Sequence, residues 1–270
     1  MSVTRPIVNA GEQYINGLQL GWSSSTLLNV YNGLCRDSTN VNDILLNNLN
    51  SSGSPIPTVI NSAVQGAGGI DVGLKASLDS ALIAVYAIGS SLDQSMGSAL
   101  VSLSFTQPAL PNNYDMFRRI GAVLCDSSGN FLQFVQGGSV NDSNRPMWYD
   151  TALATSVTAG ASATYASCTL NTTTNCIPVV SNLYGTTIYP DAILNVVFTP
   201  TGAANTLNLK SYQSASSAGQ VIISGDVASV AHNATVVVPT YVDGSAHLAI
   251  QYKVTGSAVA IDVQGYIDCL

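Results

Sequence analysis

A chain of 270 residues has room for two compact domains or one large β unit with a sizeable core. Its charged fraction is 9%, against roughly a quarter in ordinary soluble proteins, and a net charge of −7 argues against gripping a phosphate backbone. Only one of its fifteen acids is a glutamate, Glu12, and only three residues are lysines, so few exposed helix faces are expected and the composition reads as all-β.

A mean hydropathy of +0.29 with so little charge implies that copies of the chain or other partners cover much of the surface. The alternative is a single sandwich with a Ser/Thr-rich exterior. The longest uninterrupted apolar run, residues 81–88, is far short of the roughly twenty residues of a membrane helix. The opening MSVTRPIVNAGEQY lacks the apolar centre of a signal peptide. These features predict a soluble protein without membrane insertion and without a Sec-type signal.

In chain order, residues 1–13 are polar, show neither helical nor strand period, and read as an extended N-terminal arm able to dock on a neighbouring subunit. Residues 14–22, 26–34 and 44–46 have strand character, the last following the turn Arg36, Asp37, Ser38, Thr39, Asn40. Residues 47–57 are a loop by composition, with Pro55 and Pro57 excluding helix. Val59, Ala63 and Val64 suit one helical turn, broken by Gly66, Gly68 and Gly69, and a short helix is expected over 72–80. Strands follow over 81–88 and 99–105.

Residues 112–148 then carry the most organised pattern. An apolar run from Met116 to Leu124 holds Arg118 and Arg119; the turn from Asp126 to Asn130 leads into a second run over 131–135. Two such runs around a Gly-containing turn predict a hairpin. Adjacent arginines in a strand point to opposite faces, so one should be buried and paired, with Asp37, Asp115 or Asp126 as partner. The competing reading is a ligand-binding arginine. A first β unit over 14–150 and a second over 151–270 are expected. The second shows strands at 153–169, 193–199, 206–212, 220–224, 234–239, 246–254 and 258–267, a sandwich or jelly-roll pattern.

The segments GLQLGW…LNVYNGLCRDSTNVNDILL (17–46) and PNNYDMFRRIGAVLCDSSGNFLQFVQ (111–136), with the β-rich tail, resemble a family of tailed-bacteriophage and prophage virion proteins. In that family a GxARDS-x-N strand and turn precedes a YxxxRRIGxxxxDxxGxxxxFxQ hairpin and a sandwich-like C-terminal region. The match covers about half of the chain, and the hairpin motif is its more specific part. The resemblance implies a non-enzymatic particle component assembled in the host cytoplasm. Its expected place is a tail or collar fibre or fibre attachment, as a homo-oligomer, trimeric in a fibre, bound to other virion proteins. A capsid decoration (cement) protein and a glycan- or receptor-binding tail protein are the rival readings.

Catalytic chemistry has little to stand on. The chain has no G-x-S-x-G, H-E-x-x-H or Walker loop, and Gly66 to Asp71 fails the dinucleotide pattern at its last glycine. Of two histidines, His232 and His247, the second has Asp243 nearby but lies on the polar side of its strand. No cofactor or metal is expected. Trp148 and Tyr149 are the best candidate platform for a surface glycan, against an ordinary core or inter-subunit aromatic cluster. Among five cysteines, Cys35 and Cys125 sit in apolar strand patterns, while Cys168 and Cys176 bracket a loop that a disulfide would close outside a reducing compartment.

Overall fold

The computed structural model describes residues 14–71, 78–138, 144–153, 162–170, 177–178, 180–181, 187–212, 220–225, 227–243, 248–255 and 258–269. The expected N-terminal arm, most of the helix expected over 72–80, Cys176 and His247 lie outside them.

As the composition predicts, the described chain is all-β, and its strand ladders are antiparallel. Its first part runs β1 (Ile15–Gly17), β2 (Leu20–Ser24), β3 (Leu27–Val30), β4 (Gly33–Arg36), β5 (Asp43–Leu46), β6 (Thr58–Asn61), β7 (Leu82–Gly89), β8 (Ser98–Ser102) and β9 (Met116–Leu124). They form three sheets of three strands, ordered β1-β4-β5, β2-β3-β6 and β8-β7-β9. Strand β7, LIAVYAIG, is buried along its whole length. One face (Ile83, Val85, Ala87) joins the main core; the other (Ala84, Tyr86, Ile88) packs with Leu100, Phe105 and Phe117. A strand covered on both faces needs an unbroken apolar run, which is what residues 81–88 supply.

The helical turn expected around Val59 is not formed. Val59 lies in β6, paired with Asn29 of β3, and Val64 belongs to a turn. The glycines after it serve a close approach: the Gly68 amide donates to Ala99 O (2.8 Å), the Val101 amide to Gly69 O (3.0 Å) and the Asp71 amide to Val101 O (3.0 Å). Gly66 and Gly68 take φ of +95° and +77° to bring this segment along the outer edge of β8.

The second part holds β10 (Phe134–Gln136), β11 (Asn144–Leu153), β12 (Ser162–Thr169), β13 (Val180–Ser181), β14 (Thr187–Ile188), β15 (Asp191–Thr199), β16 (Thr206–Ser211), β17 (Val221–Ser224), β18 (His232–Pro239), β19 (Tyr241–Val242), β20 (Leu248–Val254) and β21 (Ala258–Cys269). One sheet is ordered β10-β11-β21-β15-β18; the other is β12-β20-β16-β17, with β19 also on β20. The alternations read from the sequence hold. Leu248, Ile250, Tyr252 and Val254 are buried, as are Val259, Ile261 and Val263, and all join one apolar core with Leu194, Val196 and Phe198. Two antiparallel sheets sharing such a core have the arrangement of a sandwich.

Two expectations change. The hairpin after β9 is only a corner: Cys125 bridges Phe131 and the Leu132 amide reaches Leu124 O at 2.8 Å, but β9 ladders with β7, and β10 with β11. The expected boundary at residue 150 falls inside β11, which pairs with β21, so a single sheet spans it.

Candidate functional site

The residues of the motif over 112–136 converge on one buried junction. Strand β9 carries an extra residue, Ile120, where its pairing with β7 steps from Val85↔Gly121 to Tyr86↔Arg119. Both arginines beside this bulge are largely buried, Arg118 at 8% exposure and the Arg119 side chain at 10%. They serve different surroundings. Arg119 donates to both oxygens of Asp268 on β21, Nη1 to Oδ2 at 2.5 Å and Nη2 to Oδ1 at 2.9 Å. This bidentate pair ties residues 149 positions apart, and its partner is none of the aspartates expected for it. Burial works to lower the Arg119 pKa, but the Asp268 charge and hydrogen bonds outweigh it and the net shift is upward. Arg118 lies within electrostatic range of Cys35 and Asp37, and its burial lowers its pKa.

A second bulge makes the pair possible. On β21 the pairing with β15 steps from Leu194↔Val263 to Ile193↔Gly265, leaving Gln264 as the extra residue. Without it, the inward phase of Val259, Ile261 and Val263 would continue to Gly265 and Ile267. With it, Tyr266 and Asp268 turn inward, and both are buried. The Tyr266 hydroxyl donates to Ala122 O on β9 at 2.7 Å, and burial pushes its pKa well up.

The remaining motif residues hold the backbone around this junction. Gly121 leaves room for the Leu20 side chain, into which a Cβ would run. The Asp126 carboxylate accepts from the amides of Ser128 (2.8 Å) and Asn130 (2.9 Å), and Gly129 turns the chain at φ +67°. Phe134 is buried, and Gln136 Oε1 accepts from the Leu20 amide at 2.7 Å. The Arg36–Asn40 turn joins the same structure. Its Asp37 carboxylate accepts from Thr39 Oγ1 and the Val41 amide, and the Ser38 amide donates to Phe117 O on β9 at 2.8 Å. Arg36 pairs with Asp43 at 3.1 Å, and Tyr14 donates to the same oxygen at 3.0 Å.

One further arginine completes the junction. Arg145, 1% exposed, donates to Leu18 O (3.0 Å) and Gly17 O (2.6 Å), where the chain turns through positive φ at both residues. The sequence reading passed over Arg145 and Asp268. For Asp268 the one signal was a lone charge at the end of an apolar strand, which says nothing of its partner; Arg145 stands in the polar run NDSNRPMW, which gave none.

Trp148 and Tyr149, the expected glycan platform, lie in β11 and project from opposite faces. Tyr149 is 6% exposed and packs against Tyr266 with ring centroids 6.3 Å apart. Trp148 stays at the surface, 36% exposed, opposite Val135 at 65%. The two rings therefore do not form a joint platform; Trp148 alone faces outward.

Cys35 and Cys168 are buried thiols, each pushed up to about 12 by burial. Among the described residues no three His, Cys, Asp or Glu side chains are grouped to hold a metal ion. What the junction does chemically is fix geometry: the Arg119–Asp268 pair and the Tyr266 hydroxyl tie β21 to β9, and the Ser38 amide ties the Arg36–Asn40 turn to it. No known family model, curated protein or solved structure matches the chain.

Proposed function

We propose that the chain is a non-enzymatic structural component of a tailed-phage virion, working by assembly with copies of itself and with neighbouring particle proteins. The observation that supports this is where the motif residues are spent. Arg119, Gly121, Asp126, Gly129, Phe134 and Gln136 all join strands or shape turns, and none is held open towards a cleft. A module whose most distinctive residues are internal fasteners is built to bear load and present surface. The low charge fits a surface meant for neighbours.

Within the particle the reading favours a tail or collar fibre, or its attachment, where three copies would wind about one axis. A capsid decoration protein is the rival. Quantitative mass spectrometry of purified particles separates them, since a fibre is present in a few copies and a decoration protein in hundreds. Absence of the chain from the particle would overturn the proposal. Trp148 gives the receptor-binding alternative its one outward aromatic; a glycan array whose signal is lost with Trp148→Ala would favour it.

A further inference from the structure

We propose that β18 forms a self-pairing edge, on which a second copy of this chain adds antiparallel and extends the five-stranded sheet to ten strands. The inference names a partner contact for the self-assembly proposed above and rests on that self-assembly, not on three copies about one axis, since an antiparallel edge pairs two.

The β15–β18 ladder runs through eight successive pairs, from Asp191↔Pro239 to Phe198↔His232, without a register shift. On its other side β18 has no strand partner among the described residues. Eight extended residues present about 26 Å of backbone donors and acceptors along that edge. Proteins that stay monomeric guard such edges with lysine, an inward charge, a bulge or a mid-strand proline. HNATVVVP has no Lys, Arg, Asp or Glu, no bulge against β15, and its proline only at the last position. The outer edge of β8, by contrast, is closed by the backbone of residues 68–71.

Exposed apolar side chains gather in the same stretch of chain. Among the described residues after 138, four of the five large ones lie in β17, β18 and the segment joining them: Ile222 (59%), Val227 (52%), Val230 (49%) and, on β18 itself, Val237 (42%). The fifth is Trp148.

The occupant follows from charge and symmetry. Residues 220–239 contain one acid, Asp226, and one histidine, His232. Such a segment offers nothing to select an oppositely charged partner and nothing to repel an identical one. An antiparallel ladder is self-complementary about a two-fold axis, so identical edges close at two copies.

The test compares the purified full chain with Thr235→Lys and Val237→Lys, both at exposed positions of β18, by light-scattering mass and amide hydrogen exchange. The expected wild-type mass is twice 27.9 kDa. Each lysine variant should run as one chain with an unchanged β-type circular dichroism spectrum. In the wild type the outward-facing half of the β18 amides should be protected, and each variant should speed their exchange more than tenfold. The exchange result on the wild type stands even if a variant fails to fold. A dimer or trimer that survives both lysines, with β18 amides exchanging freely, overturns the edge pairing and leaves self-assembly standing. A single chain at every concentration overturns both. Placement in the virion is tested separately, by particle composition.

Discussion

Replacing Asp268 with alanine leaves the Arg119 guanidinium, whose side chain is 10% exposed, without its counter-charge inside the junction. Removing one member of a buried pair costs about 3–5 kcal/mol, because the remaining charge is neither solvated nor neutralised. For a chain of this size each kcal/mol moves Tm by about 2–4 °C, so Asp268→Ala should lower it by about 6–20 °C. The pair is not thereby worth that much. Arg119→Met with Asp268→Leu removes both charges and both desolvation costs, and should return to within about 1.5 kcal/mol of the wild type. Urea unfolding followed by the fluorescence of Trp22 and Trp148 measures all three variants. Trp22 reports on the core directly, since its indole donates to Phe131 O at 3.2 Å. The single-variant loss should persist in 1 M salt, which screens exposed pairs and reaches buried ones far less. If Asp268→Ala costs under about 1 kcal/mol, or the double variant is as unstable as the single, the junction does not work as described.

Arg145→Met should orphan the Gly17 and Leu18 carbonyls at about 1–3 kcal/mol each, read by the same unfolding assay. Gly17→Ala should cost more than about 1 kcal/mol, because φ there is +71° and the new Cβ would meet Asn32 O. With their thiols held protonated to about 12, Cys35 and Cys168 should resist iodoacetamide at pH 8 until denaturant is added, as peptide mass spectrometry would show. The Asp115 carboxyl is held below its usual 3.8 by the Ser91 hydroxyl and amide. A depressed value stabilises the fold above pH 3.8 and loses that contribution as pH falls through the lower folded value. In an NMR titration Ser91→Ala should move the Asp115 midpoint up towards 3.8.

Strand content was legible where burial is periodic or continuous. Residues 116–124 are β9 to the residue, and 81–88 differ from β7 by one position at each end. In β20 and β21 the alternation picks out Leu248, Ile250, Tyr252, Val254, Val259, Ile261 and Val263, all buried, but not Ala249 or, past the bulge, Tyr266 and Asp268. Reading failed where a bulge shifts the phase. Phe131 and Phe134 are both buried although three positions apart, because residues 132 and 133 form a corner between ladders and not a strand. β6 is four residues long between a proline and a glycine-rich turn, too short for either period to declare itself. The junction was half legible. Adjacent arginines in an apolar strand announced a buried charge, but the partner lay in another sheet, past the Gln264 bulge of β21. Pairings of that separation are set by topology, which local pattern does not encode.

The central claim is that this chain is a built-in part of a phage particle. Immunogold electron microscopy of purified particles, with antibody raised against the chain, tests it most directly. Gold at the tail or collar, removed by competition with the purified chain, is the predicted result. Particles that stay bare while the antigen remains free in the lysate would contradict it.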